Sequence, residues 1–264
     1  MKRRFAWEPL LAAAVIAIGI HIPLEAALTA ELHKTYPIDA DGRISLSNIN
    51  GAVHIAAWDR NEVQVDAVKC ATTKEALDEA QIVIDSASGS ISIRTRYPEH
   101  SSRREPASVE YTLKVPRRAR LRAIEAVNGA VEVSGVSGDV KISSVNGPVT
   151  AKNLAGGDAR LSTVNGRLDA SFDKLSGASS IALDTVNGSI SLEIPNQSNA
   201  DFHASSVNGR ISSDFGVGEA HRHGQGGSFS GQIGSGSGAH IKLSSVNGGI
   251  RILSTIGGHR VLHT

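Results

Sequence analysis

Residues 139–147 have the sequence DVKISSVNG, and residues 158–166 repeat the same pattern as DARLSTVNG. The tripeptide Val-Asn-Gly occurs six times in the chain, and Ile-Asn-Gly occurs once, upstream of the others. The seven steps are Asn50-Gly51, Asn128-Gly129, Asn146-Gly147, Asn165-Gly166, Asn187-Gly188, Asn208-Gly209 and Asn247-Gly248. From Asn128 onwards, successive Asn residues are 18, 19, 22, 21 and 39 residues apart. Such recurrence is the sequence signature of a repeat architecture, here with coils of about 20 residues.

Alignment of the copies on Asn indicates which positions face the interior. Four positions before Asn, aliphatic residues recur at Leu46, Ile124, Ile142, Leu161, Leu183 and Leu243. Three positions after Asn, they recur at Val53, Val131, Val149, Leu168, Ile190, Ile211 and Ile250. Apolar and polar residues alternate on both sides of each step, as they do in half-buried strands. We therefore expect two short strands in each coil, joined at Asn-Gly.

Small hydroxyl residues recur two positions before Asn. They are Ser144, Thr163, Thr185, Ser206 and Ser245. Such residues suit a β surface that faces water or a neighbouring coil, so this row is a candidate binding surface.

The last Asn spacing is about twice the others, which predicts one coil, near Gly234, without an Asn.

Two all-β folds can use this pattern. Asn-Gly between alternating strands is a strong hairpin signal, which allows an antiparallel meander. Stacked coils instead place equivalent residues above one another, which explains why the same residues recur at the same phase. We predict a single-stranded parallel β-solenoid, right-handed like most parallel crossovers. Asn and Gly tolerate a left-handed backbone at the corners, and stacked Asn amides can hydrogen-bond to each other.

The N-terminal part carries signals of a different kind. Lys2–Arg4 precede an apolar run, residues 10–20, which indicates an export signal with cleavage near Ala30. An uncleaved signal that acts as an anchor is the alternative. The expected organisation is a signal at 1–30 and a solenoid domain at 31–264, with 31–116 as its less regular part. One short helix is expected over residues 73–82, with Thr73 as its N-cap. No membrane span is expected after cleavage.

Composition restricts the partners and the cofactors. The net charge of +1 gives no field that would draw the protein onto nucleic acid. Cys70 is the only cysteine, so no intramolecular disulfide can form. We expect no cofactor, and a monomer in the periplasm or at the cell surface. Residues 97–106 and 216–227 are expected to be loops, and residues 255–264 are expected to blunt the C-terminal end of the stack.

Three segments carry a resemblance to a known family. They are GRISLSNINGAVHIAAWDRNEVQV, VEYTLKVPRRARLRAIEAVNGAVEVSGVSGDVKISSVNG and FSGQIGSGSGAHIKLSSVNGGIRI. With the Trp58-Asp59 step and Val115-Pro116, they resemble the bacterial putative-adhesin family, a domain of unknown function in envelope proteins. The resemblance spans about residues 36–253. It implies a β-helix-like fold and a location outside the cytoplasm, and it carries over no catalytic residues.

Two groups of residues have the chemistry of metal ligands. Asp139 and Asp158 each stand seven positions before an Asn, so stacking would bring them together, where they could hold Ca²⁺. Capping of strand starts is the alternative that we favour for them. His221 and His223, with His203 or His240, could ligate a transition metal, although a solvated loop explains them better.

Two basic clusters could contact anionic envelope molecules. They are Arg103-Arg104 and residues 116–122, PRRARLR, and they are also explained by surface solubility. The sequence contains no Gly-x-Ser-x-Gly nucleophile motif and no phosphate-binding loop. The favoured function is a non-enzymatic envelope module that binds a glycan or a protein on its repetitive surface. The alternatives are an envelope-stress or regulatory accessory protein and a carbohydrate-active β-helix enzyme.

Overall fold

The computed structural model describes residues 27–98, 106–215, 219–223, 226–234, 238–256 and 259–260. These residues form a nearly all-β structure with one short helix, α1 (Lys74–Glu79). The strands are β1 (Leu28–Pro37), β2 (Arg43–Asn50), β3 (Val53–Trp58), β4 (Glu62–Ala71), β5 (Gln81–Ala87), β6 (Ser90–Arg96), β7 (Ser108–Pro116), β8 (Arg120–Asn128), β9 (Val131–Ser134), β10 (Val140–Asn146), β11 (Val149–Ala155), β12 (Ala159–Asn165), β13 (Leu168–Lys174), β14 (Ser180–Asn187), β15 (Ile190–Pro195), β16 (Ala200–Asn208), β17 (Ile211–Ser213), β18 (Glu219–His223), β19 (Gly226–Ile233), β20 (Ala239–Asn247), β21 (Ile250–Ile256) and β22 (His259–Arg260).

The strands form two sheets, each with eleven strands in the described part of the chain. The front sheet contains every strand that ends at an Asn-Gly step, in the order β18-β19-β16-β20-β14-β12-β10-β8-β2-β6-β5. The back sheet contains the strands that follow those steps, in the order β1-β4-β7-β3-β9-β11-β13-β15-β21-β17, with β22 paired to β21. Each Asn-Gly step is therefore the corner at which the chain passes from the front sheet to the back sheet.

Strands that carry the repeat pair in parallel and in the register that the alignment predicts. Asn146 lies opposite Asn128 on one neighbouring strand and opposite Asn165 on the other. In the back sheet, Val149 lies opposite Val131 and Leu168 in the same way. The two strands at a corner belong to different sheets, so a corner is not a hairpin turn. The parallel solenoid is confirmed, and the antiparallel meander is wrong.

The core consists of the aliphatic rows that the alignment predicts. Leu46, Ile124, Ile142, Leu161, Leu183 and Leu243 are at most 1% exposed. Of the row that follows Asn, all members except Ile211 are at most 1% exposed, and Ile211 is half-buried against the core. Because each residue stacks on its equivalent in the next coil, small and medium aliphatic side chains fill the space without large rings.

The order of the coils in space differs from their order along the chain at both ends. The coil of β2 and β3 lies between β6–β7 and β8–β9, although it precedes both of them in sequence. The last coil, β20–β21, lies between β14–β15 and β16–β17. The predicted coil without an Asn near Gly234 is therefore wrong. Residues of the long spacing instead form β18 and β19, which pair antiparallel at the edge of the front sheet.

Antiparallel strands cover three of the four outermost strands of the parallel stack, and in the described residues β17 forms the remaining edge of the back sheet. At one end, β4 and β1 extend the back sheet beyond β7, and β5 extends the front sheet beyond β6. At the other end, β19 and β18 extend the front sheet beyond β16. A stack of parallel coils would otherwise expose an edge able to pair with another chain. The expected loop at 216–227 is wrong for residues 219–223 and 226–227, because these lie in strands.

Segments expected at the periphery are placed only in part. The short helix and its N-cap are confirmed, with the Thr73 hydroxyl accepting from the Ala76 N–H at 3.2 Å, but the helix ends at Glu79 and residues 81–82 belong to β5. Residues 259–260 pair antiparallel with the end of β21. Most of the expected loop at 97–106 lies outside the described residues, and so do residues 1–26 of the expected signal. Strand β1 begins at Leu28, so it includes the last three residues of the expected signal at 1–30.

The Trp-Asp and Val-Pro motifs meet in the back sheet. Trp58 lies opposite Pro116 in the register of β3 and β7, and the Arg117 N–H donates to the Trp58 carbonyl at 3.2 Å. Asp59 then forms an ion pair with the Arg117 guanidinium at 2.6 Å. The two motifs are therefore one structural unit that joins the ends of neighbouring strands.

A buried polar network lies inside the N-terminal coils. The Asn48 amide donates to the carbonyls of Val109 at 2.8 Å and Gly51 at 3.1 Å, and its oxygen accepts from the Thr95 hydroxyl at 3.0 Å. Since the only Thr95 hydroxyl proton is used there, the Tyr111 hydroxyl donates to Thr95, at 2.7 Å. Burial raises the pKa of Tyr111 to about 12. The network satisfies polar groups that would otherwise oppose insertion of the β2–β3 coil.

We predict that Tyr111→Phe lowers the free energy of unfolding at neutral pH by about 1 kcal/mol, because the Thr95 oxygen loses its donor. The unfolded chain loses the tyrosine proton near the ordinary pKa of about 10, whereas the folded chain keeps it up to the raised value. The free energy of unfolding of the wild type therefore decreases as the pH rises from the unfolded pKa of Tyr111 to the folded one. The Phe variant has no ionisable group at this position, so its free energy of unfolding lacks this decrease. Urea unfolding at several pH values measures both effects. Tyr36→Phe, on the edge strand β1, is the control, and equal behaviour of the two variants would contradict the prediction.

Candidate functional site

The Asn side chains form one continuous hydrogen-bonded row along the corner of the solenoid. Each Nδ2 donates to the Oδ1 of the neighbouring Asn. In spatial order the donor and acceptor pairs are Asn128 to Asn50 at 2.9 Å, Asn146 to Asn128 at 3.0 Å, Asn165 to Asn146 at 2.8 Å, Asn187 to Asn165 at 2.8 Å, Asn247 to Asn187 at 2.8 Å, and Asn208 to Asn247 at 2.9 Å. The row includes all seven Asn residues and follows the spatial order of the coils, not the order of the sequence.

The Gly after each Asn allows the backbones of adjacent coils to approach closely. The Gly147 N–H donates to the Asn165 carbonyl at 3.0 Å, and the Gly166 N–H donates to the Asn187 carbonyl at 3.0 Å. A Cβ on Gly166 would lie 2.1 Å from the Gly147 carbonyl oxygen, and the other corner glycines face a backbone oxygen at a similar distance. The corner requires glycine because there is no room for a side chain.

The predicted left-handed backbone is wrong for most corners. Gly51 has a φ of +113°, but Gly129, Gly147, Gly166, Gly188 and Gly209 have no positive φ. No Asn of the row has a positive φ either. Stacked coils therefore select Asn-Gly for a reason different from that of a hairpin, in which the turn itself requires φ above zero.

The hydroxyl row expected at the surface lies in the interior, which is a correction. Ser144, Thr163, Thr185, Ser206 and Ser245 are only 3–6% exposed. Four of these hydroxyls donate to the carbonyl of a corner glycine in a neighbouring coil, at 2.9 to 3.2 Å. The Ser144 hydroxyl is buried without a partner in the described residues. The row therefore stabilises the corners from inside and cannot be a binding platform.

An aliphatic row that the sequence analysis missed occupies the exposed surface. The residue immediately before each Asn is β-branched and points outward. This row comprises Ile49 (40% exposed), Val127 (37%), Val145 (40%), Val164 (41%), Val186 (41%), Val246 (40%) and Val207 (61%). The outward orientation of this row could have been predicted from the sequence. Each member stands three positions after an inward residue, and residues an odd number of positions apart in a strand face opposite sides.

The Asn row and the aliphatic row together form a continuous, nearly uncharged surface, which we name the corner face. We define it as the aliphatic row, the Asn row, and the two residues that follow each Asn. Those last residues are glycine followed by Ala52, Ala130, Pro148, Arg167, Ser189, Gly249 or Arg210. Arg167 and Arg210 are thus its only charged residues. Arg167 is paired with Asp169 at 2.8 Å.

Asp139 and Asp158 lie on adjacent coils, and both cap the start of a strand. An Asp139 carboxylate oxygen accepts from the Asp158 N–H at 3.2 Å, and an Asp158 oxygen accepts from the Ser180 N–H at 2.8 Å. This is the capping role that the sequence analysis favoured. Capping uses one oxygen of each carboxylate, and no group of three potential metal ligands is found here in the described residues.

The histidines do not assemble into a metal site in the described residues, where no group of three potential ligands is found. The His203 ring contacts the Ser230 hydroxyl at 2.7 Å, and the His240 ring lies 3.9 Å from Asp201. His221 and His223 lie in β18. Nothing in the described part brings a third ligand to His203 or His240.

Of the two basic clusters, Arg103-Arg104 lies outside the described residues. In residues 116–122, Arg117 pairs with Asp59 as described, Arg120 pairs with Asp41 at 2.9 Å, and Arg122 lies 3.7 Å from Asp139. Ala119 and Leu121 are buried between them. Three of these arginines therefore have a carboxylate partner already.

No helix in the described residues is long and apolar enough to cross a membrane.

Residues 30–253 match the Toastrack DUF4097 family, and the chain belongs to that family. In fold, the chain is similar to a putative cell adhesion protein from Clostridium sporogenes, with 12% identity, a TM-score of 0.53, and coverage of 86% of this chain and 100% of the other. It also matches a putative adhesin from Bacteroides fragilis, with 11% identity, a TM-score of 0.42, and coverage of 86% and 97%. Comparison with curated proteins finds no match. The resemblance inferred from the sequence is thus confirmed.

We predict that Gly166→Ala lowers the free energy of unfolding by about 1–3 kcal/mol, because its Cβ must displace the backbone of the adjacent coil. Gly177→Ala is the matched control, since nothing lies within 4 Å of a Cβ at that position. Chemical denaturation of the two variants measures the difference. Equal stability of the two variants would show that close packing at the corner is not what requires glycine.

Proposed function

We propose that this Toastrack family member is an exported, non-enzymatic binding module that holds a partner in the cell envelope on its corner face. The observation that carries the proposal is the row of seven exposed β-branched side chains beside the Asn row. Large apolar side chains are normally buried, and a contiguous exposed row of them marks an interaction surface. Adhesion, the role in the names of the two solved proteins with a similar fold, is consistent with such a surface.

The corner face is suited to binding because it is rigid before the partner arrives. Each aliphatic side chain is branched at Cβ and has few rotamers, so little entropy is lost when it is covered. Most corner strands have parallel neighbours on both sides, as β10 has in β8 and β12, whereas β16 lies between parallel β20 and antiparallel β19. Adjacent members of the row are one strand spacing apart, about 4.8 Å. A long, regular partner can therefore contact several coils at once.

The Asn row supplies hydrogen bonds next to the apolar contacts. An Asn amide has two N–H donors, and its oxygen has two acceptor positions. The row uses one donor and one acceptor of each internal Asn, and six of the seven side chains are exposed. Each internal Asn can thus offer a second donor and a second acceptor to a partner. The corner face therefore fits a partner with an apolar surface and uncharged polar groups, such as a glycan or an extended protein segment.

What supports a non-enzymatic role is the use of the polar groups in the described structure. The Asp139 and Asp158 carboxylates, which lie on adjacent coils, accept backbone hydrogen bonds. All five members of the hydroxyl row nearest the corner are buried, and four of them donate to glycine carbonyls. Apart from Ser189, Arg167 and Arg210, the corner face consists of amides and aliphatic groups, and it contains no carboxylic acid, histidine or cysteine.

Export and a monomeric state belong to the same proposal. The basic start of the chain and the apolar run that follows it fit a signal over residues 1–30, and the solenoid domain follows at 31–264. The antiparallel strands at the ends of the stack support a monomer, because they cover three of its four outermost parallel strands, β7, β6 and β16.

The test replaces part of the aliphatic row with charge. We expect Val145→Lys combined with Val164→Lys to weaken co-sedimentation of the purified protein with envelope fragments by roughly tenfold or more, because two ammonium groups would have to be desolvated. Ser143→Lys combined with Ser162→Lys is the matched control, since it adds the same charge to the same strands. Circular dichroism verifies that both variants fold. Absence of wild-type binding, or an equal loss in both variants, would refute the proposal.

A further inference from the structure

A second surface lies on the outer face of the front sheet, away from the corner, where β10, β12 and β14 begin. It is a cleft of about 300 Å³. The residues around it that carry polar chemistry are Arg122, Asp139, Lys141, Asp158, Arg160 and Ser180. This cleft therefore brings together three cations, two carboxylates and a hydroxyl, whereas the corner face is almost uncharged.

Two of the cations oppose each other without a counter-ion. Lys141 lies opposite Arg160 in the register of β10 and β12, so both side chains project from the same face of the sheet. Like charges directly opposite each other destabilise a pair of strands. Among the described residues, no carboxylate lies within ion-pair distance of either side chain, and both are exposed. An anion placed between them would relieve this repulsion.

The nearby carboxylates stay negatively charged, but among the described residues neither forms an ion pair with Lys141 or Arg160, because the backbone holds each of them at the start of a strand. As described above, Asp139 and Asp158 each use one oxygen to cap the next strand. The remaining Asp158 oxygen has no partner in the described residues, so it is available to accept a hydrogen bond from a ligand hydroxyl. Carboxylates beside cations thus offer acceptors as well as positive charge.

The row of cations contains a gap that can receive a ring. Ala182 lies opposite Arg160 on one side and opposite Lys242 on the other. The small Ala182 side chain therefore forms a depression between two long basic side chains. Ser180, two residues earlier on the same strand, projects from the same face.

From this arrangement we propose that the cleft binds an acidic sugar residue of a glycan chain. Arg160 and Lys141 bind its carboxylate or phosphate, Asp158 and Ser180 bind its hydroxyls, and the ring lies over Ala182. Arginine is suited to the acidic group because its planar guanidinium can donate two parallel hydrogen bonds. Nucleic acid and anionic membranes fit less well, because Asp139 and Asp158 repel closely spaced phosphates and the net charge is only +1.

Calorimetry with oligogalacturonate tests the proposal, and the fully methyl-esterified oligomer of equal length is the uncharged control ligand. We expect the acidic oligomer to bind, the ester not to bind, and the affinity to fall as salt is raised. A phosphorylated mannan oligomer in a parallel experiment distinguishes phosphate from carboxylate as the preferred acidic group. Binding of either acidic oligomer supports the proposal.

The matched variants locate the site. Lys141→Gln combined with Arg160→Gln should weaken binding at least about tenfold, because it removes two charge-assisted contacts. Lys152→Gln combined with Arg251→Gln removes the same charge from the back sheet and should leave the affinity unchanged. Val145→Lys combined with Val164→Lys should still bind the acidic oligomer, which separates this site from the corner face. Equal binding of the ester, an equal loss in both glutamine variants, or binding only to DNA or to anionic vesicles would overturn the proposal.

Discussion

The whole structure depends on the contact between glycines of adjacent coils. At six of the seven corners the carbonyl oxygen of one glycine occupies the place that a side chain on the next glycine would need, and at Gly51 the Val109 carbonyl oxygen occupies that place. This close approach fixes the distance between adjacent coils, and their register, along the row of corner glycines. The Asn row lies immediately outside that line, and the buried hydroxyls lie immediately inside it and bond to the same carbonyls. All other rows, including the core, inherit their alignment from the corners.

Uniform register also permits the unusual order of the coils. The coils present similar hydrogen-bonding edges and similar aliphatic rows, so a coil can pair with neighbours that are distant in the sequence. The chain uses this freedom at both ends by inserting the first and the last repeats between others. The inserted N-terminal coil, β2–β3, differs from the repeat at one position, where Asn48 replaces the usual hydroxyl residue. The Asn48 amide donates to β7, and it makes more contacts than a serine or threonine hydroxyl could make alone. These contacts are specific to this coil.

Much of the fold could be predicted from the repeat because stacking imposes one environment on each aligned position. The aliphatic rows around Leu161 and Leu168 follow from this rule, as do the parallel pairing and helix α1. The order of the coils could not be predicted, since seven equivalent corners do not specify their neighbours. The hand of the solenoid stays a prediction.

The candidate site was predicted less well, because residue type was given more weight than strand periodicity. Thr163 lies two positions after the buried Leu161 and therefore faces inward, but its hydroxyl suggested a surface. Val164, one position later, faces outward although valine is typical of cores. The cleft was only partly visible from the sequence: Asp139 and Asp158 were identified as neighbours, but the opposition of Lys141 and Arg160 requires the register.

The internal position of the β20–β21 coil imposes a constraint on synthesis and maturation of the polypeptide. The layer between β14–β15 and β16–β17 comes from residues made after both of its neighbours. Completion of the stack therefore cannot proceed from N-terminus to C-terminus one repeat at a time. The nascent chain has to keep two matching strand edges apart until its last repeat arrives, or separate them again to admit it.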